Sequence, residues 1–176
     1  DATMKSAIYL LLSVAATAAT AGETATPPCT RTTPTGTICE ARIDDLRPTQ
    51  FGVGMLEVEQ TRRELAGKSP AGLRKTILKK RIAVVIGPDG RLWLVDRHHL
   101  SRALAELGEA RAPVFVVGRI DDHDRLWPVM KESHWAWLRD ERGNPRDPEE
   151  LPGRVRDLPD YPYRSLAGFA KDRELF

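Results

Sequence analysis

Cysteine is nearly absent from this chain, which has two in 176 residues, Cys29 and Cys39. With no third cysteine and no histidine near them, they do not make a zinc site. An excess of one charge is also missing: 27 Lys and Arg stand against 25 Asp and Glu, a formal net charge of +2. That balance does not by itself imply nucleic-acid binding. The one local basic cluster, Arg74, Lys75, Lys79, Lys80 and Arg81, reads as a solvated helix face. Long hydrophobic runs are lacking too. The single apolar run, around Ala7 to Ala16, is short and rich in Ala and Thr, which argues against a permanent membrane span. No internal repeat, P-loop, dinucleotide fingerprint or Ser-His-Asp order is present, so those enzyme classes have no support.

What is present suits one soluble domain, with 41% hydrophobic and 30% charged residues. The first stretch reads as a processing segment. Met4 and Lys5 open it, an apolar core follows, and Ala19-Thr20-Ala21 forms an A-x-A-like cleavage site. Residues 1–21 are therefore expected to be a signal peptide, with Asp1 to Thr3 ahead of its natural-looking start and Gly22 as the mature terminus. The expected location is periplasmic or secreted, with no membrane contact after processing. In that oxidising setting, one disulfide between Cys29 and Cys39 is expected, as a staple and not a redox centre. Residues 22–40, rich in Thr, Pro and Gly, read as a leader, and residues 41–176 as the folded domain.

Within that domain the pattern is mixed α/β. Ala41 to Leu46 suits a short strand. A helix is expected over "VGMLEVEQTRRELAG", with Val53, Leu56 and Leu65 inward, and it stops at Gly67. Ser69 as cap and Pro70 at the first helical position start a second helix. "IAVVIGPDGRLWLVD" predicts a hairpin around Gly-Pro-Asp-Gly. A helix from about Arg97 to Leu107 and a strand from Pro113 to Ile120 follow. The remainder is expected to form short helices, including a packed amphipathic one around His134. The fold class is a small mixed sheet flanked by helices, with a helical C-terminal portion.

Chemistry concentrates in "LVDRHHLSRAL", residues 94–104. Leu100, Ala103, Leu104 and Leu107 make the buried stripe of its helix. At about 100° per residue, His98 and Arg102 should share the open face, with His99 at its flank. Asp96 falls at the expected cap. A helix start offers amide donors and partial positive charge, and Arg97, His98, His99 and Arg102 add further donors that suit a phosphate. Crowded cations repel unless an anion joins them. Elsewhere, "DDHD", Asp121 to Asp124, resembles a metal-ligand cluster but reads better as a turn. Arg164 and Ser165 precede a helix and could complete an anion pocket or supply its serine cap.

"IDDLRPTQFGVGMLEVE", "IAVVIGPDGRLWLVDRHHLSRAL", "WAWLRD" and "DYPYRSLAGFA" together resemble the ParB-like nuclease group of the ParB/sulfiredoxin superfamily. The resemblance spans roughly residues 41–170. It implies a ParB/sulfiredoxin-like fold with the phosphate site at Asp96 to His99. Asp96-Arg97-His98-His99 is similar to the Asp-Gly-His-His-Arg of free-serine kinases, with Arg97 where those have glycine. Arg97 also replaces the sulfiredoxin cysteine, which excludes that chemistry. The second half of the pocket should be "LRPTQ", with Thr49 and Gln50 binding. The kinases use a glutamate near this place as base, whereas Gln50 cannot take a proton. Of Asp44 and Asp45, at most one faces the site if the segment is a strand.

The expected catalytic residues are thus His98, His99 and Asp96, with Arg97, Arg102, Thr49, Gln50, Arg164 and Ser165 on phosphate or nucleotide. No protein-held metal is expected. A divalent cation, magnesium or manganese, accompanying a nucleotide is the one cofactor compatible with the pattern. Two classes stay open: a nuclease-like or phosphotransferring enzyme, and a nucleotide- or anion-binding module without turnover. A chromosome-partitioning role is disfavoured by the leader and the short chain.

Overall fold

Five short apolar stretches alternate with helix-forming ones, and in the computed structural model, which describes residues 25–165, they form a mixed sheet with helices on both faces. The strands are β1 (Ile38–Arg42), β2 (Leu46–Pro48), β3 (Ile82–Ile86), β4 (Leu92–Leu94) and β5 (Arg111–Arg119). The helices are α1 (Met55–Ala66), α2 (Pro70–Lys80), α3 (His98–Glu106) and α4 (Leu126–Glu132). The strand order is β1-β5-β3-β4-β2. The outer pair β1/β5 and the hairpin β3/β4 are antiparallel, while β5/β3 and β4/β2 are parallel.

Alternation along the strands separates two cores. Val84, Ile86, Leu92 and Leu94 point towards α1, α2 and α3, where Leu65, Ile77, Leu100 and Leu104 complete the larger cluster. Val85, with Trp93 and Val117, faces α4, where Leu126 and Met130 are buried. Each fully buried aliphatic contributes about 1.5–3 kcal/mol relative to exposure. Pro128 is tolerated in α4 because it sits in the first turn, where an N–H has no helical partner anyway.

The hairpin, the α2 start, α3 and β5 lie where the sequence puts them. Four expectations need correction. The expected strand Ala41–Leu46 is instead the end of β1, a 3-10 turn at Ile43–Asp45, and the start of β2. Asp44 therefore does not face the site; its carboxylate accepts from Arg156 at 2.7 Å. The fold also reaches back into the Thr/Pro-rich stretch assigned to a leader. Cys29 N–H donates to Glu40 O, Gly36 N–H to Val116 O, and Cys29 is disulfide-bonded to Cys39 of β1 with Cα atoms 4.8 Å apart. Leu56 is exposed, and Val58 and Leu65 are the buried positions of α1, because at about 100° per residue Leu56 lies opposite Leu65 while Val58 shares its face. The amphipathic helix expected around His134 is absent: residues 133–147 form turns and isolated bridges, with His134 exposed at φ 56°. The next short helices are 3-10 turns at Pro148–Glu150 and Val155–Asp157. The expected signal peptide lies outside the described residues. Among those described, no helix is long and apolar enough to cross a membrane.

Candidate active site

The turn from β4 into α3 forms the floor of the site. Arg97 adopts a left-handed conformation, φ 66°, and α3 starts from it with no side-chain cap. Asp96 therefore stands one residue too early to be the cap. Its carboxylate accepts the N–H of Arg97 at 2.7 Å and makes an ion pair with the same residue. The amides of His98, His99 and Leu100 lie ahead of the first intrahelical bond, which Ser101 N–H makes to Arg97 O at 2.9 Å. Arg97 thus holds a backbone conformation that glycine adopts most readily.

The two histidines have different surroundings. His98 does not face solvent; it is 5% exposed. Its Nε2 accepts the Thr49 N–H at 3.3 Å, and its ring is also hydrogen-bonded to the Leu94 backbone. Burial, with the charges of Arg164 and His99, pushes its pKa down to about 3, so it is neutral at neutral pH. His99 is half-buried. Its Nε2 lies 3.0 Å from Glu57 Oε2, close but not aligned as a hydrogen bond. Burial and then Arg164 lower its pKa, while Asp96 opposes the shift.

Glu57 was not among the residues the sequence singled out. It is the third residue of α1, and the packing of α1 against α3 brings it to His99. The carboxylate beside His99 thus comes from α1 and not from the "LRPTQ" segment.

Above this floor, the C-terminal segment closes on residues 50–54. Val53 N–H donates to Pro159 O and Tyr161 N–H to Val53 O, and Asp160 Oδ1 accepts the Met55 N–H at the start of α1. Gly52 and Gly54 permit the approach: a Cβ on Gly52 would lie 2.4 Å from the Tyr161 ring, and one on Gly54 2.3 Å from Ser165 Oγ. The segment carries Arg164, whose Nη1 donates to Gln50 Oε1 at 3.1 Å. Burial lowers the Arg164 pKa, with Tyr161 and Glu57 acting against it. Ser165 is fully buried and not a cap; helix begins before it, at residue 162.

The fold therefore gathers His98, His99, Thr49, Gln50 and Arg164 in one place, with Ser165 packed alongside. It sends two expected ligand residues elsewhere. Arg97 Nε donates to Lys80 O at the end of α2. Arg102, half-buried, donates to Leu158 O and pairs with Glu106, so the open helical face expected for it does not exist. The "DDHD" stretch is a turn in which Asp122 accepts the Asp124 N–H. Among the described residues, no group of three His, Cys, Asp or Glu side chains could hold a metal ion.

Residues 39–176 match the family described as "Putative ParB-like nuclease". The chain belongs to this ParB-like family. Among solved structures, that of protein Atu1540 from Agrobacterium tumefaciens is similar, at 33% identity and a TM-score of 0.69. The match covers 78% of this chain and 68% of that one. No curated protein matches.

Proposed function

We propose that this ParB-like domain hydrolyses phosphate esters of the nuclease type at the uncapped start of α3. The observation that carries this reading is the 3.0 Å contact of His99 with Glu57 beside the half-buried Arg164. A cation kept from water, next to amides with no helical partner, favours an anion.

In this reading the phosphate oxygens accept from the amides of His98 to Leu100 and from Arg164. Gln50 holds the Arg164 guanidinium. His99, kept neutral by burial and by Arg164, takes a proton from water as that water attacks phosphorus. The new P–O bond forms as the ester P–O bond breaks, and the proton passes to the departing alkoxide. Glu57 stabilises the transient imidazolium. His98 is a positioning residue, since Thr49 and Leu94 occupy its ring. Magnesium or manganese, where required, would enter on the substrate phosphates. Export belongs to the same proposal: the Cys29–Cys39 bridge suits an oxidising compartment.

The test is turnover of single-stranded DNA, RNA and nucleoside triphosphates, each with and without magnesium or manganese. His99→Gln and Glu57→Gln should each abolish hydrolysis while phosphate binding survives. Because the His99 pKa is lowered, activity should rise with pH below 6.5 and be level through neutrality. Turnover persisting in both variants would overturn the assignment. Binding without turnover in the unmodified protein would leave an anion-binding module. Intact mass of the exported chain, starting at or near Gly22, tests processing.

A further inference from the structure

Among the described residues, four large hydrophobic side chains are left exposed, and the two aromatic ones, Trp137 at 53% and Tyr163 at 74%, line one recess. That recess, of about 430 Å³, also includes Tyr161 and Arg164. We propose that it is a stacking platform for an unpaired base of a single-stranded nucleic acid whose phosphate lies on Arg164. This rests on the phosphate-ester reading and gives it a substrate class.

The platform is tied to the site through the backbone. Trp137 N–H donates to Thr49 O at 2.9 Å, and Trp137 bridges Gln50, the residue that holds Arg164. Tyr161 packs its ring on Gly52, and Arg164 N–H donates to Tyr161 O at 2.8 Å. An indole and a phenol ring left in water forgo a large burial energy, which a planar partner would recover. Arg139 already lies over Trp137, 5.9 Å from its ring centre, and strengthens a cationic stack.

The charges set the polarity of the ligand. Asp140 and Glu141 line the recess together with Arg164, and because carboxylates disfavour a phosphate beside them, Arg164 is the lining group that can hold one. Asp140 is committed to its own turn, accepting the N–H groups of Arg142 and Asn144 and the Asn144 amide. The ligand therefore presents an uncharged planar group to the aromatic rings and its phosphate to Arg164. A base inside a duplex has both faces covered, so only an unpaired one can use the platform.

The experiment measures binding of oligothymidylate, alone and annealed to oligoadenylate, beside binding of inorganic phosphate, with tryptophan fluorescence as one readout. The single strand should bind more tightly than the duplex and quench the fluorescence. Trp137→Ala and Tyr163→Ala should each lower the ratio of oligothymidylate to phosphate affinity about tenfold, with Trp137→Phe restoring most of it. Equal affinity for single strand and duplex, or a ratio unmoved by either substitution, would overturn the platform. If Arg164→Ala then still weakened phosphate binding, the phosphate reading would stand without it. Loss of the ratio on Trp137→Ala in a protein with no ester turnover would retain the platform and remove the enzymatic reading. Capture of a protein segment by this face, with no oligothymidylate binding, would overturn the proposal.

Discussion

At the start of α2 the Ser69 hydroxyl accepts the Gly72 N–H at 3.2 Å and Pro70 takes the first helical position, whereas α3 starts from left-handed Arg97 with no side-chain cap. The first helix end is finished by its own residues. At the second, Asp96 spends its carboxylate on the next residue, and the first-turn amides are bordered by His98, His99, Thr49 and the C-terminal segment. The difference shows where local chemistry closes a helix and where the fold keeps one available. It can be broken or sharpened by substitutions on each side.

The largest effect is expected at His98. His98→Ala removes a buried ring and strands the Thr49 N–H, at a cost of about 2–4 kcal/mol in urea unfolding. The pH dependence follows from the depressed pKa. Unfolded, the ring takes up a proton below 6.5; folded, it does so only near about 3. The unfolded state binds more protons in that window, so stability falls on acidification from 6.5, by about 1.4 kcal/mol per pH unit, and levels off below the folded value. His98→Gln should flatten this slope relative to the unsubstituted protein. An unchanged slope would mean that His98 is charged or solvated in the fold.

Gly54→Ala comes next. Its φ of −79° suits any residue, so the penalty is steric: the new Cβ would stand 2.5 Å from the Ser165 backbone nitrogen. Relief requires the C-terminal segment to move and Arg164 to leave Gln50. The expected cost is about 1–3 kcal/mol, with weaker phosphate binding. Phosphate affinity equal to that of the original protein would show that Arg164 does not depend on this closure.

Ser69 and its hairpin neighbours were legible because their signals are local: a cap, a proline, a Gly-Pro-Asp-Gly turn and alternating aliphatics. The site was legible only as a set of residue types. His98 and Arg102 lie opposite the Leu100–Leu104 stripe on a helical wheel, yet both are covered. Thr49 covers the first and Leu158 the second, contacts that span 49 and 56 residues. Glu57 escaped for the same reason, since nothing in the α1 sequence states that its first turn meets α3. A stripe identifies one buried face and cannot show that a distant segment buries another.

Removing the two presumed cap groups should separate the helix starts directly. Ser69→Ala should cost about 1 kcal/mol. Asp96→Ala should cost less than about 0.5 kcal/mol, because its exposed carboxylate bonds to Arg97 and not to the first-turn amides of α3. Equal losses in thermal or urea unfolding would restore Asp96 to the role of a cap.

The smallest change is expected for Arg97→Gly. A non-glycine residue at φ 66° carries a strain of about 1 kcal/mol that glycine does not. Against that gain, glycine adds about 0.5–1 kcal/mol of unfolded-chain freedom. The substitution also loses the bond from Arg97 Nε to Lys80 O. The terms nearly cancel, so stability should stay within about 0.3 kcal/mol, in contrast to the clear loss at Ser69. Phosphate affinity is the sharper measurement. The guanidinium is tied to the end of α2, and the amides of His98 to Leu100 keep their places when Arg97 becomes glycine. Affinity for inorganic phosphate should therefore be unchanged. A tenfold loss would put the Arg97 guanidinium on the ligand and show that α3 draws its anion with that side chain as well as with its amides.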